Sequence, residues 1–426
     1  GMFATHEKLG TLPIEIILTP VIELANNGYV ISEKQKERFD KFRETFKRIN
    51  GSESIFTKQY EAGDTLRNPA LANTLKRISE NGRSEFYSGE TARKMLKYIE
   101  DNGGIMTQKD LDAYEAAWRD PIVFEYKDVK LISMAPPSSG GICLGQILGM
   151  LEPFPLAEYG HNSQKYIQVL TEAERRAYAD RSEFLGDPDF VNIPIDSLMS
   201  KSYLSKRMES FSFEAATTSK EIKPGNINIY ESTETTHFSI VDKFGNAVSL
   251  TTTLNGSYGS KLYVPELGFF LNNEMDDFSA KPGAPNMFGL VGGEANAIEP
   301  QKRMLSSMTP TIIEKDGKLL MVLGTPGGST IITSVLQTFL NVHEFGMNMQ
   351  EAVSAPRFHH QWLPDVVYYE TSAFSDETIQ KLTEIGYKLD GEHMPEVGYM
   401  DAILVLPNKK LEGGADPRGD DTAIGY

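Results

Sequence analysis

The stretch YESTETTHFSIVDKFGNAVSLTTTLNGSYG, residues 230–259, marks a change in the character of the chain. His237 to Val241 and Ala247 to Thr253 alternate as two strands around the turn residues Asp242 to Asn246. Thr311 to Glu314 and Leu319 to Gly324 repeat the form around Lys315 to Lys318. Ser329 to Phe345 then reads as a helix packed through Ile331, Ile332, Val335, Leu336 and Leu340. Short helices over Met349 to Ser354 and Asp376 to Ile385, and a strand over Met400 to Leu406, complete this half. Before residue 230 the spacing predicts helices instead: Pro13 to Asn26, Ser32 to Arg48, Pro69 to Ser79, Gly89 to Asp101, a buried helix ending at Leu151, and one capped by Asn162 or Ser163 running to Phe184. Thr107 and Asp110 make a capping box. Ile122 to Met134, turning at Lys127-Asp128, is the strand pair of this half, and Tyr203 to Asn228 reads as an exposed polar connector. Strands of this kind among so many helices pack well as two sheets between helical layers.

Charge and cysteine content narrow the function. A net charge of −17 leaves no basic stripe for nucleic acid. No apolar run reaches the roughly eighteen residues of a membrane helix. The single cysteine, Cys143, excludes an intramolecular disulfide and a two-cysteine metal site; flanked by Ile142 and Leu144, it reads as a small core residue. Gly1-Met2 reads as a tag remnant before a start residue.

Several stretches could carry chemistry. GTPGGST, residues 324–330, joins a strand to a helix, where backbone N–H groups point at anions or oxyanions. A tight structural turn is the competing reading; a phosphate loop would need a lysine that is absent. His359-His360 read as packing or surface residues, because adjacent side chains rarely chelate one metal, and no H-E-x-x-H pattern occurs. His237 lacks a G-x-S-x-G elbow, so a Ser-His-Asp hydrolase has no support. Asn272 to Asp277 sets amides and carboxylates after Phe269-Phe270-Leu271: a surface turn, or a receptor for a substrate ammonium. Residues 282–293, PGAPNMFGLVGG, are long enough for a lid, and Arg418 to Asp420 is an RGD short enough to arise by chance.

In order, Thr235-Thr236-His237-Phe238-Ser239, Thr253-Leu254-Asn255, Asn272 to Ser279, Leu305-Ser306-Ser307-Met308 and Pro326-Gly327-Gly328-Ser329 strongly resemble the γ-glutamyltransferase (γ-glutamyltranspeptidase) family. PPSSGG, YADRSEFLGDPDF, APRFHHQW and ADPRGDD belong to the same likeness, which covers nearly the whole chain. The family includes enzymes known as cephalosporin acylases. The resemblance implies an α+β fold, the four-layer αββα sandwich of N-terminal-nucleophile hydrolases. It also implies self-cleavage between Glu234 and Thr235, giving a large-subunit part, residues 1–234, and a small subunit, residues 235–426, that stay associated. A chain continuous through Glu234-Thr235 would be the unprocessed precursor.

The resemblance makes Thr235 the nucleophile and Thr253 the hydroxyl that orients it. Gly327 and Gly328 become oxyanion donors. Asn255, Glu274 and Asp277 would hold a substrate α-ammonium, and Ser306 and Ser307 its α-carboxylate. Phe288 stands at a lid position often held by tyrosine. The family's carboxylate-pairing arginine would precede residue 1. No metal or cofactor is implied; the partners would be a small γ-glutamyl substrate and a water or amino-acid acceptor, and the family is typically secreted or periplasmic. Glutathione-like substrates are preferred over a glutaryl-cephalosporin because Asp277 would repel the glutaryl carboxylate. A cephalosporin acylase, a catalytically inactive truncated homologue and, more weakly, a nucleotide-binding module are the competing readings.

Overall fold

The computed structural model describes residues 1–52, 54–223, 235–281, 292–394 and 397–425. They form two compact units, residues 1–119 with 258–272, and residues 120–257 with 273–426. The first unit is mainly helical. Ser32 starts the helix Glu33–Asn50 by accepting the Gln35 N–H at 3.1 Å while the Gln35 side chain accepts the Ser32 N–H at 3.3 Å. Thr107 and Asp110 cap Gln108–Ala113 in the same reciprocal way. The apolar face of Glu33–Asn50 buries Phe39 and Phe46 against Phe56 and Tyr263.

The second unit is built on one antiparallel sheet of six strands, in the order Leu411–Ala415, Asp401–Val405, Lys318–Gly324, Thr311–Lys315, Val129–Ser133, Ile122–Tyr126. Met321, Val322 and Leu323 are all buried, so the central strand is covered on both faces. Gly140–Leu151, Gln164–Phe184 and Thr330–His343 form the helical layer, whose Leu148, Leu170, Ala173, Val335 and Phe339 share one core with Leu131, Ile313 and Leu323 of the sheet.

The hairpin of Thr236–Val241 and Ala247–Thr252 is the second sheet and packs on the strands Lys318–Gly324 and Asp401–Val405. It is inverted relative to an ordinary amphipathic hairpin. His237, Ser239 and Ser249 face the large sheet, with Ser239 donating to the Asp401 carbonyl and Ser249 to the Leu323 carbonyl, both at 3.0 Å. Phe238, Ile240 and Val248, of the opposite alternation, are exposed. The expected polar connector is partly core: Lys201–Met208 is helical, and the Trp362 indole N–H donates to the carbonyls of Ser219 at 3.0 Å and Ile222 at 2.9 Å. A buried indole needs an acceptor, and this segment's backbone supplies it.

Candidate active site

Thr235 is half-buried and directly precedes the strand Thr236–Val241; Thr253 directly follows Ala247–Thr252. Since Thr236 pairs with Thr252, the two threonines extend adjacent ends of one ladder. Strand alternation puts Thr235 on the face of His237, about 7 Å further along. His237 is buried, bonded through Nδ1 to Thr251 Oγ1 at 2.8 Å and through Nε2 to Ser239 Oγ at 3.1 Å. Burial pushes its pKa down to about 3, so it stays neutral. Its ring lies against Gly324, the last residue of the central strand.

From Gly324 the chain enters the glycine-rich turn. Gly327 has φ 135° and Gly328 φ 58°, conformations that favour glycine. The carbonyl of Gly327 accepts from the Thr330 N–H at 3.1 Å and from its hydroxyl at 2.7 Å. Among the described residues the N–H groups of Gly327 and Gly328 have no protein acceptor. Such a pair of donors at the start of the helix Thr330–His343 is suited to an oxyanion. Gly398 backs the turn: a Cβ there would lie 1.9 Å from the Pro326 carbonyl oxygen.

The carboxylate segment is clipped to the end of the hairpin. Thr253 Oγ1 accepts the Asn255 N–H at 2.8 Å, and Asn255, buried with φ 72°, donates its side-chain amide to the Asn273 carbonyl at 3.2 Å. Gly256 N–H donates to Asn273 Oδ1 at 2.9 Å. Glu274–Asp277 is a short 3-10 turn. Burial raises the pKa of Glu274; burial, and then the Glu274 charge, raise that of Asp277 well above the carboxylate range, while Arg181 pulls it the other way. Two half-buried acids set together favour a cationic ligand.

Ser306 and Ser307 lie against the Pro136 to Gly141 loop: Ser139 N–H donates to the Ser306 carbonyl at 2.8 Å, and Ser306 N–H to the Pro137 carbonyl at 3.0 Å. Asn296 joins this segment to the acidic turn, donating to the Asp277 carbonyl at 2.7 Å and accepting the Leu305 N–H at 2.9 Å. Asn296, the Ser138-Ser139 pair and Arg181, which donates to Ser139 and Ser307, were not among the residues singled out from the sequence. PPSSGG held the serines in view and YADRSEFLGDPDF the arginine, but neither motif, nor an asparagine in a loop, carries a local sign of these contacts. Glu234 and Phe288 lie outside the described residues.

His359 and His360 are fully buried, as packing residues: His359 bonds Thr333 Oγ1 at 2.9 Å and Ser329 Oγ at 3.2 Å, behind the glycine turn. The arginine of the RGD, Arg418, is tied into the fold. Arg418 pairs with Glu370 and with Asp416, the latter at 2.9 Å, and Asp416 also pairs with buried Arg357. Cys143 is buried in the helical layer. Among the described residues no helix is long and apolar enough to cross a membrane.

The chain as a whole is similar to several known proteins. The family model for gamma-glutamyltranspeptidase matches residues 1–426. The chain is 46% identical over 431 residues to the glutathione hydrolase proenzyme of Escherichia coli (strain K12), across 100% of this chain and 74% of that protein. It is 32% identical over 421 residues to the acylase ACY 1 proenzyme of Pseudomonas sp. (strain V22), across 98% of this chain and 72% of that one. Among solved structures, the cephalosporin acylase from Bacillus halodurans matches with a TM-score of 0.86 at 23% identity, over 100% of this chain and 77% of that chain. That likeness concerns the fold, which is the α+β αββα sandwich of N-terminal-nucleophile hydrolases. By its full-length match and its close relatives, the chain belongs to the γ-glutamyltranspeptidase family.

Proposed function

We propose that this chain is the precursor form of a threonine-nucleophile γ-glutamyl hydrolase and transferase acting on glutathione and related γ-glutamyl amides. The observation that carries the reading is the tie through Asn296 between two half-buried acids, Glu274 and Asp277, and the hydroxyl-rich segment at Ser306-Ser307. A receptor with a cation-seeking arm and a carboxylate-seeking arm fits the free α-amino acid end of a γ-glutamyl group.

In maturation, the Thr235 hydroxyl attacks the Glu234 carbonyl. The peptide C–N bond breaks with its nitrogen taking the hydroxyl proton, and water then hydrolyses the resulting ester. Residues 1–234 and 235–426 become two chains, the second beginning with a free α-amine. That amine, with a reference pKa of about 7.7–8.0, can take the Thr235 hydroxyl proton near neutral pH. Thr253 orients the hydroxyl. Thr235 Oγ attacks the γ-carbonyl, the N–H groups of Gly327 and Gly328 receive the negative oxygen, and the leaving amine departs with the proton. Water or an amino-acid amine then attacks the γ-glutamyl ester, releasing Thr235. Each oxyanion donor contributes about 10²–10³ in rate in other acyl-transfer enzymes.

A glutaryl acylase is the second reading, favoured by the likeness to an acylase proenzyme. The Glu274–Asp277 pair counts against it, because a glutaryl chain brings a carboxylate where these acids seek a cation. The test is intact mass over time at neutral pH beside Thr235→Ala. Two fragments from the parent, the smaller starting at Thr235, and none from the variant are expected. A parent that stays whole would overturn the maturation step and favour an inactive homologue.

A further inference from the structure

We propose that Arg181 is a positioning residue that makes the Ser306-Ser307 segment a receptor for the substrate α-carboxylate; this rests on the reading of Ser307 above. Arg181 sits on the helix Gln164–Phe184 and is 3% exposed. It donates through Nε to Ser139 Oγ at 2.9 Å and through an Nη to Ser307 Oγ at 3.0 Å. Among the described residues no carboxylate lies within ion-pair distance of it, unlike Arg175, Arg176 and Arg357, buried arginines that each pair with an acid. A buried cation whose hydrogen bonds end on neutral hydroxyls, with Asp277 in its field but not in an ion pair with it, has positive field left for an incoming anion.

The hydroxyl protons show where that field is delivered. Each serine has one proton and two lone pairs. Ser139 gives its proton to the Ser306 carbonyl at 2.8 Å. Ser138 gives its proton to the Met308 carbonyl at 2.7 Å, so in the 3.3 Å contact between Ser138 and Ser306 hydroxyls the Ser306 oxygen is the donor. Ser307 accepts from Arg181 and, among the described residues, has no acceptor for its own proton. Arg181 therefore takes a lone pair of Ser307 and leaves its proton for a ligand oxygen, polarised by the adjacent charge. The Asn296 tie keeps this donor beside the acidic turn, so the Arg181–Ser307 pair and the Glu274–Asp277 pair make a dipolar cradle for an ammonium and a carboxylate on one carbon.

The test is calorimetric binding of L-glutamate and of isoglutamine, its uncharged α-amide, to the full chain and to Arg181→Lys and Arg181→Gln. The parent should bind glutamate at least 10-fold tighter than isoglutamine. Both variants should lose most of that preference while keeping their affinity for isoglutamine within about 3-fold. Should Arg181→Gln not fold, Arg181→Lys decides alone, since it keeps the charge but not the paired donation. A preference retained in the variants, or an equal loss for both ligands, overturns the role of Arg181. A parent without any preference overturns the carboxylate reading of Ser307 itself.

Discussion

The imidazole of His237 occupies the space that a side chain on Gly324 would need: a Cβ there falls 2.2 Å from His237 Cε1 and 2.5 Å from Nδ1. The ring cannot swing aside, because Thr251 and Ser239 hold both nitrogens. The strand that follows Thr235 is thereby seated on the strand that leads into Gly327-Gly328. Gly324→Ala should cost about 1–3 kcal/mol of stability, as overpacking does, and slow self-cleavage far more than that loss explains. Urea unfolding beside intact-mass kinetics checks both, and His237→Ala in the Gly324→Ala background should restore part of the stability.

Asn296 bonds the acidic turn with one end of its amide and the serine segment with the other. Asn296→Ala leaves a buried carbonyl and a buried N–H without partners, at about 1–3 kcal/mol each. The expected phenotype is weaker ligand binding at an unfolding midpoint still above assay temperature. Glutamate affinity measured against thermal midpoint separates the two effects.

Asp277 predicts a pH dependence. Its pKa is raised by burial and the Glu274 charge, so at low pH it is protonated and offers an ammonium no charge. Binding of an α-ammonium draws off that proton, so affinity rises with pH until Asp277 is ionised in the free protein and is flat above it. Asp277→Asn should remove the rise and weaken binding by about 10²-fold, the loss of a charge-assisted contact of roughly 2–3 kcal/mol. Glutamate titrations from pH 5.5 to 8.5 would show it; a parent with no pH dependence would refute it.

Asp416 is the hub of a buried ion network. It pairs with Arg357 and Arg418 and accepts the Met400 N–H at 3.0 Å, while Arg357 donates to the Gly398 carbonyl at 2.7 Å behind the glycine turn. Asp416→Asn should destabilise by about 3–5 kcal/mol, because it strands a buried guanidinium. Calorimetric unfolding measures the cost.

His359 is fully buried, and burial lowers its pKa to about 4, against 6.5 ordinarily. Below pH 6.5 the unfolded chain takes up a proton that the native one refuses, so this contribution to stability is complete above pH 6.5 and shrinks as pH falls toward 4. The parent should lose about 1.4 kcal/mol per pH unit relative to His359→Gln across that window. Parallel slopes of the two proteins would contradict it.

The element pattern was legible because it is local. Ser32 with Gln35, Thr107 with Asp110 and the turn at Lys315 to Lys318 announce themselves within a few residues, and the structure has the matching helices and hairpin. The threonines, Gly327-Gly328 and the acidic turn were found through their order along the chain. What stayed hidden is what depends on burial by distant segments. Ser219 and Ile222 look like connector until Trp362 covers them, and nothing beside Arg418 in the sequence announces its pairing with Glu370 and Asp416. Nothing local in the sequence marks Arg181 as buried, yet every residue from Tyr166 to Ser182 is.

The six-stranded sheet has one more consequence. Val129–Ser133 pairs with Thr311–Lys315, with Leu131 opposite Ile313, so its strands come from both sides of residue 234. An intact chain can regain this sheet by a first-order search. Once the link is cut, the same ladder must be rebuilt by two molecules meeting, at a rate that falls with dilution. Cutting would leave the native contacts in place and yet make their loss hard to reverse, so the mature protein's endurance would be governed by how slowly it opens.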